Sequence, residues 1–191
     1  MNDYCIVVTG LPASGKTTIG RKIAAQLGIP FLDKDDFLEE LYDVRGLGDA
    51  AWRQRLSLES NDQFKAAAIQ QNRVVLVSHW RPQTMQGPSG TPVDWLRENY
   101  QTVIELYCKC AVDVAAERFK SRIRHPGHLD SRRDLAETID WLNVYQSHLP
   151  VGIGQQIIID STDNIDIKTF AQEIMAILSA RGQKRGSLST V

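Results

Sequence analysis

Gly10-Leu11-Pro12-Ala13-Ser14-Gly15-Lys16-Thr17 fits the pattern Gly-x-x-x-x-Gly-Lys-Ser/Thr. It follows the apolar run Ile6-Val7-Val8 and precedes a stretch in which Ile19, Ile23 and Leu27 recur every four residues. Glycines at these positions let several backbone N–H groups turn inward around phosphate oxygens, and the start of a helix adds partial positive charge. Lys16 then reaches the outer phosphates of a nucleotide, with Thr18 in the same first helical turn. Thr17 Oγ is placed as a ligand of Mg2+, which takes few protein ligands and completes its shell with phosphate and water. The bland alternative, a glycine-rich turn, has no need of a strand on one side and a helix on the other.

Two acids stand where a second strand ends, in Phe31-Leu32-Asp33-Lys34-Asp35-Asp36-Phe37. Read as extended chain, this segment points Asp33 and Asp35 to one side at the carboxyl end of the sheet, where α/β proteins bind ligands, and Lys34 to the other side, into solvent. Asp36, with Glu39 three residues on, reads as a helix cap with its partner, and Asp35 is the alternative cap. The third strand, Val74 to Ser78, ends in Ser78-His79, with no acid to hold a metal, which strengthens the case for Asp33.

From Arg118 to Arg133 the chain is strongly basic and interrupted by His125-Pro126-Gly127-His128. Such a run is commonly a solvated face. Its break between two helical stripes, with Arg118 and Arg122 one turn apart, predicts instead a small hinged lid over about 118–134 whose guanidiniums neutralise transferring phosphate. His125 and His128 imitate a metal pair but lack a third ligand nearby. His79, Trp80 and Arg81 follow the third strand at the ligand-binding edge and, with Arg124, are candidates for contact with a second substrate. Trp52, Arg53 and Arg55 on the preceding helix are candidates to face them, and for both groups aromatics packed on the sheet and solvated arginines are the equally plain alternative.

The elements that must position these groups read as five short strands, at Tyr4 to Thr9, Phe31-Leu32, Val74 to Ser78, Val103 to Tyr107 and Gln156 to Asp160. Helical stripes lie between them: Trp52 to Ala68, Val112 to Ile123, Leu135 to Leu149 behind a cap at Ser131, and a last one from Ile165 or Ile167 to Leu178. Near-continuous apolar strands separated by helices predict a three-layer α/β sandwich around a five-stranded parallel sheet. Arg81 to Pro92 reads as a long surface loop, residues 1–178 as one domain, and 179–191 as a loose tail.

The chain has 191 residues, 42% hydrophobic and 24% charged, with a formal net charge of −1. That composition fits one globular domain and argues against long nucleic acid as a partner. No apolar run is long enough for a membrane span, so the expected place is the cytoplasm and the three cysteines read as reduced core thiols.

The loop Asp160-Ser161-Thr162-Asp163-Asn164 lacks the Asn-Lys-x-Asp of guanine switches, and no Leu-Ser-Gly-Gly signature of transporter ATPases occurs. Gly10 to Thr17, Phe31 to Phe37 and Arg118-x-x-x-Arg122-x-Arg124-His125-Pro126-Gly127-His128 together resemble the P-loop small-molecule kinases of the AAA-type predicted-kinase group. More distantly they resemble shikimate and gluconate kinases and chloramphenicol phosphotransferase. The resemblance implies a P-loop NTPase fold of the nucleotide-kinase type that uses ATP and Mg2+ to phosphorylate a hydroxyl of a small molecule, as a monomer or homodimer. It implies Asp35, nineteen residues after Lys16, as base or hydroxyl-orienting group, and Asp33 in the water shell of the metal. It also places Ile159 to Thr162 against adenine. A nucleoside or polynucleotide-end kinase and a non-catalytic ATP-binding regulatory module are the alternatives.

Because the motif offers no second lysine to the outer phosphates, Lys16→Ala is expected to abolish phosphotransfer and sharply weaken ATP binding while leaving the fold intact. Calorimetric titration with ATP beside a thermal melt checks this.

Overall fold

A computed structural model describes residues 1–85, 87, 89–129, 133–162 and 165–186, with side chains described as far as 180. The strands are β1 (Asn2–Gly10), β2 (Phe31–Asp33), β3 (Arg73–Val77), β4 (Tyr100–Lys109) and β5 (Gln155–Asp160). The helices are α1 (Lys16–Leu27), α2 (Lys34–Arg45), α3 (Ala50–Ile69), α4 (Asp94–Asn99), α5 (Val112–Ser121), α6 (Leu135–Gln146) and α7 (Ile167–Gly186), with a 3-10 turn at Pro126–His128. All strand pairs are parallel, in the order β2-β3-β1-β4-β5. The expected five-stranded parallel sandwich is therefore what forms.

Strict alternation along β1 sorts its side chains onto two cores. Ile6 and Val8 join Val75, Val77, Ile104 and Leu106 under α1 and α7, packed on Ile19, Ile23 and Ile174. Cys5 and Val7 face the opposite layer with Val74, Leu76 and Val103, where Phe64 and Ala68 of α3 and Trp95 and Leu96 of α4 cover them. Gly20 lets α1 lie close on the sheet, since a Cβ there would come within 3.0 Å of Phe31 and Val77 side-chain atoms. A third cluster joins α5 and α6 through Ala115, Ala116, Leu142 and Tyr145, with Leu11 beneath them. The cysteines are free and buried, as expected of core thiols. No described helix is long and apolar enough to cross a membrane.

Several expectations need correction. β2 ends at Asp33, so Lys34 and Asp35 belong to the first turn of α2, and the cap is Asp33, whose side chain accepts from Asp35 N–H, neither Asp35 nor Asp36. Asp134 caps α6 in a reciprocal capping box with Glu137, while Ser131 lies outside the described residues. α4 was invisible to periodicity because it has six residues. α7 runs on to Gly186, eight residues into the stretch read as a tail.

One buried acid ties the sheet to the segment before β5. Glu105 of β4, 0% exposed, accepts from the Thr9 hydroxyl and from the backbone N–H groups of Val151, Gly152 and Ile153. A carboxylate with four donors is satisfied, whereas an amide turns an N–H against some of them. Glu105→Gln is expected to lower unfolding free energy by about 2–4 kcal/mol, read by urea titration.

Candidate active site

The carboxyl ends of β1, β2 and β3 open onto a cavity of about 530 Å3. Pro12, Ala13, Gly15, Lys16, Thr17 and Thr18 line it from the phosphate-binding loop. Gly10, Leu11 and Ser14, named with them from the sequence, stand behind: Leu11 is 1% exposed and packs in the α5–α6 core, and Ser14 is buried. Gly10 has φ +140°, and a Cβ on it would meet the Cys108 carbonyl oxygen at 2.5 Å, so both conformation and space demand glycine. Gly15, also at positive φ, caps α1 and turns the chain into the helix.

Lys16 Nζ donates to the carbonyls of Gly10 at 3.1 Å and Leu11 at 2.7 Å, which fixes the ammonium at the mouth of the loop. Burial lowers its pKa to about 8 against the opposing pull of Cys108, Asp33 and Asp35. The Thr17 hydroxyl donates to Asp33 Oδ2 at 2.7 Å, and Asp35 N–H donates to Asp33 Oδ1 at 3.1 Å. Thr17 and Asp33 thus bring two hard oxygen donors to one point beside the loop, a donor set that fits Mg2+. Ser14 Oγ, buried without a partner among the described residues, is a further polar atom at this loop.

The two acids are driven apart. Burial and then the neighbouring Asp35 raise the pKa of Asp33 to about 6. Burial would raise Asp35 as well, but Arg124, His128, Lys34 and Lys16 outweigh it and hold Asp35 below the usual carboxylate range. Asp35 is therefore ionised at neutral pH, with its Oδ2 paired to an Nη of Arg124.

The basic segment meets the cavity at Arg118, Arg122, Arg124 and Arg133, though not on one helical face. α5 stops at Ser121, and Arg122 is its extended C-cap, its guanidinium 4.3 Å from the Phe119 ring centroid. Arg118 remains helical and reaches the Ser161 carbonyl at 3.4 Å, which sets it beside the loop after β5. Between them and α6, 130–132 lie outside the described residues. His125 and His128 point to separate acids, Asp43 and Glu39, and do not face a common point.

Of His79, Trp80 and Arg81, His79 lines the cavity, its ring 4.3 Å from that of Tyr145. Trp80 is 1% exposed and donates from Nε1 to the Val8 carbonyl, so it is a core residue. Arg81 turns to the Gly87 carbonyl within its own loop. Trp52, Arg53 and Arg55 stay at the α2–α3 connection: Trp52 and Arg53 bond the carbonyls of Gly46 and Leu47, and Arg55 lies over the Trp52 ring.

Sequence reasoning missed Lys34, which is 7% exposed, lines the cavity and donates to Ser57 Oγ at 3.1 Å. Burial lowers its pKa to about 8. The signal was its place after Asp33: at a strand end followed by a helix cap, the next residue turns inward. Ser57, Thr91 and Trp141 also line the cavity, and no local pattern marks them.

The AAA domain family model matches residues 5–147. Among curated proteins, the chain is 44% identical over 54 residues to shikimate kinase of Paracidovorax citrulli, covering 25% of this chain and 30% of that one. It is 24% identical over 121 residues to shikimate kinase of Rhizobium leguminosarum bv. trifolii, covering 63% and 59%. The chain spans between 17% and 59% of the length of the curated relatives it matches. Among solved structures, a putative kinase from Chloroflexus aurantiacus superposes with TM-score 0.70 at 28% identity, over 92% of this chain and 98% of that one. A gluconokinase from Sinorhizobium meliloti shares the fold, with TM-score 0.56 at 18% identity over 98% and 97%.

His79 gives the site a pH signature. Burial, followed by the Lys16 charge, lowers its pKa to about 4. The unfolded chain therefore takes up a proton near pH 6.5 that the folded chain refuses until about pH 4, so stability falls as pH drops through that window. His79→Gln is expected to flatten this part of the stability profile, measured by thermal melts between pH 7.5 and pH 4.5.

Proposed function

We propose that this chain, which belongs to the AAA domain family, transfers the γ-phosphoryl group of ATP to a hydroxyl of a small molecule. The observation that carries the reading is the convergence, in one cavity, of the Lys16 ammonium, the Thr17–Asp33 oxygen pair and an ionised Asp35. The curated shikimate kinases support it, as does the likeness to the Chloroflexus protein.

The backbone N–H groups of the loop and Lys16 bind and orient the outer phosphates. Thr17, with Asp33 through water, would hold Mg2+, whose charge when bound offsets that of the phosphates. Asp35 receives the acceptor O–H and aims its oxygen at the γ-phosphorus. As the new P–O bond forms, the bond to the β-phosphate oxygen breaks, ADP leaves and the hydroxyl proton passes to Asp35. Phosphoryl transfer through a loose transition state asks the base to position more than to deprotonate, so a carboxylate of low pKa suffices. Arg118 and Arg122 stand where charge develops and, with the segment 122–129, exclude water.

Release of ADP in the presence of sugars, polyols, hydroxy acids, nucleosides and oligonucleotides with free 5′-hydroxyls tests the reading and separates it from a polynucleotide-end kinase. ATP turnover indifferent to every acceptor would overturn it in favour of a binding module. Asp35→Asn is expected to lower kcat by about 100-fold or more while KM for ATP stays near its original value. Steady-state kinetics with the acceptor so identified checks this, and equal losses in both would make Asp35 a structural support.

A further inference from the structure

The 3-10 turn at Pro126–His128 sets His128 against α2, where one ring nitrogen meets two groups of opposite hydrogen-bonding character. His128 Nε2 lies 2.7 Å from Glu39 Oε1 and 3.0 Å from an Nη of Arg124. An ionised carboxylate only accepts and a guanidinium only donates. An imidazole nitrogen presents in its ring plane either one N–H or one lone pair. The two contacts are therefore alternatives: Nε2 bonds Glu39 when it carries a proton and Arg124 when it does not.

The surroundings decide between them. From α2, Glu39 and Asp35 face His128 as acids, with the Tyr42 ring nearly perpendicular to the imidazole at 6.3 Å between centroids, and from its own segment Arg124 faces it as a cation. Burial, then Arg124, favour the neutral ring, so the issue is which nitrogen holds its one proton. A lone pair on Nε2 would confront the Glu39 carboxylate at 2.7 Å, whereas an N–H there makes a charge-assisted bond. Arg124 loses little from that choice, because the same Nη is paired with Asp35.

We propose that Glu39 keeps the His128 proton on Nε2 and thereby withdraws the ring as an acceptor for Arg124. Glu39 and His128 are positioning residues that act through Arg124. With Nε2 as donor, the ring offers Arg124 no acceptor, while Asp35 still does. Arg124 can then exchange Asp35 for phosphoryl oxygens at the moment the acceptor hydroxyl takes its place on Asp35. With Nε2 as acceptor, the guanidinium is pinned from two sides at the acceptor end of the cavity. The kinetic part of this inference rests on the phosphotransfer reading; the tautomer does not.

The test is the nitrogen spectrum of the full-length protein labelled at its four histidines, with the His128 signals assigned by their loss in His128→Gln. At pH 7.5 the wild-type ring is expected to carry its proton on Nε2. Glu39→Gln, whose amide can turn an N–H toward the ring, is expected to move the proton to Nδ1. The same variant should lower kcat about tenfold with KM for ATP and melting temperature unchanged. Glu39→Ala, which removes the acceptor altogether, should shift the tautomer in the same direction. A wild-type ring protonated on Nδ1, a proton unmoved by both substitutions, or a moved proton with full turnover each overturns the proposal. A wild-type protein without phosphotransfer to any acceptor overturns the reading of the preceding section, while the ring spectrum still decides the tautomer.

Discussion

The two oxygens of Asp33 hold the site together. Oδ2 takes the Thr17 hydroxyl from the helix that opens at the phosphate loop, and Oδ1 takes the Asp35 N–H that starts the next helix. One buried carboxylate at the end of β2 thus sets α1 and α2 in register with each other. The orientation of Asp35 follows, because its side chain leaves the first turn of a helix whose cap is Asp33 itself. The arrangement carries strain of an electrostatic kind. Asp33 is desolvated and stands beside a second acid, so its charged form is disfavoured in the protein alone, and a cation is the natural relief.

Around this pair the chain distributes cations unevenly. Lys16 and Lys34 come from the first turns of α1 and α2, while the arginines come from α5 and the segment after it. Only Arg124 pairs directly with Asp35 among the ion pairs described, and this pairing keeps Asp35 charged where burial would neutralise it. The two carboxylates differ by two positions in sequence and by opposite shifts in acidity, a division of labour set by neighbours and not by residue type.

Much of this was legible in the sequence because the motif between β1 and α1 combines a strand, glycines at positive φ and a helix start, each imposed by local chemistry. The inner strands were legible for a similar reason: β1, β3 and β4 are covered on both faces, so their apolar runs are unbroken. The errors share a cause. Treating Asp33, Lys34 and Asp35 as extended chain ignored that a helix begins inside the triplet, and the change from a two-residue to a 3.6-residue period reverses which side Lys34 faces. Proximity to a strand end does not say where Trp80 and Arg81 point, and an indole that reaches the Val8 carbonyl is spent on the core. Ser57, Thr91 and Trp141 join the cavity through tertiary packing over long sequence separations, for which no spacing rule exists.

The sheet order has a consequence for how the molecule comes into being. β1 is central, and its partners are β3 and β4, never the strand that follows it in the chain. No hairpin can pre-form around the phosphate loop, so its first strand must wait until residues 73–77 have been synthesised before it gains a neighbour, and until 100–109 before it gains the second. On the ribosome, β1 therefore emerges before both of its neighbours, as an apolar ribbon with both edges bare, the condition in which strands recruit other chains. The loop is made before either neighbour of its strand and acquires its shape only after both.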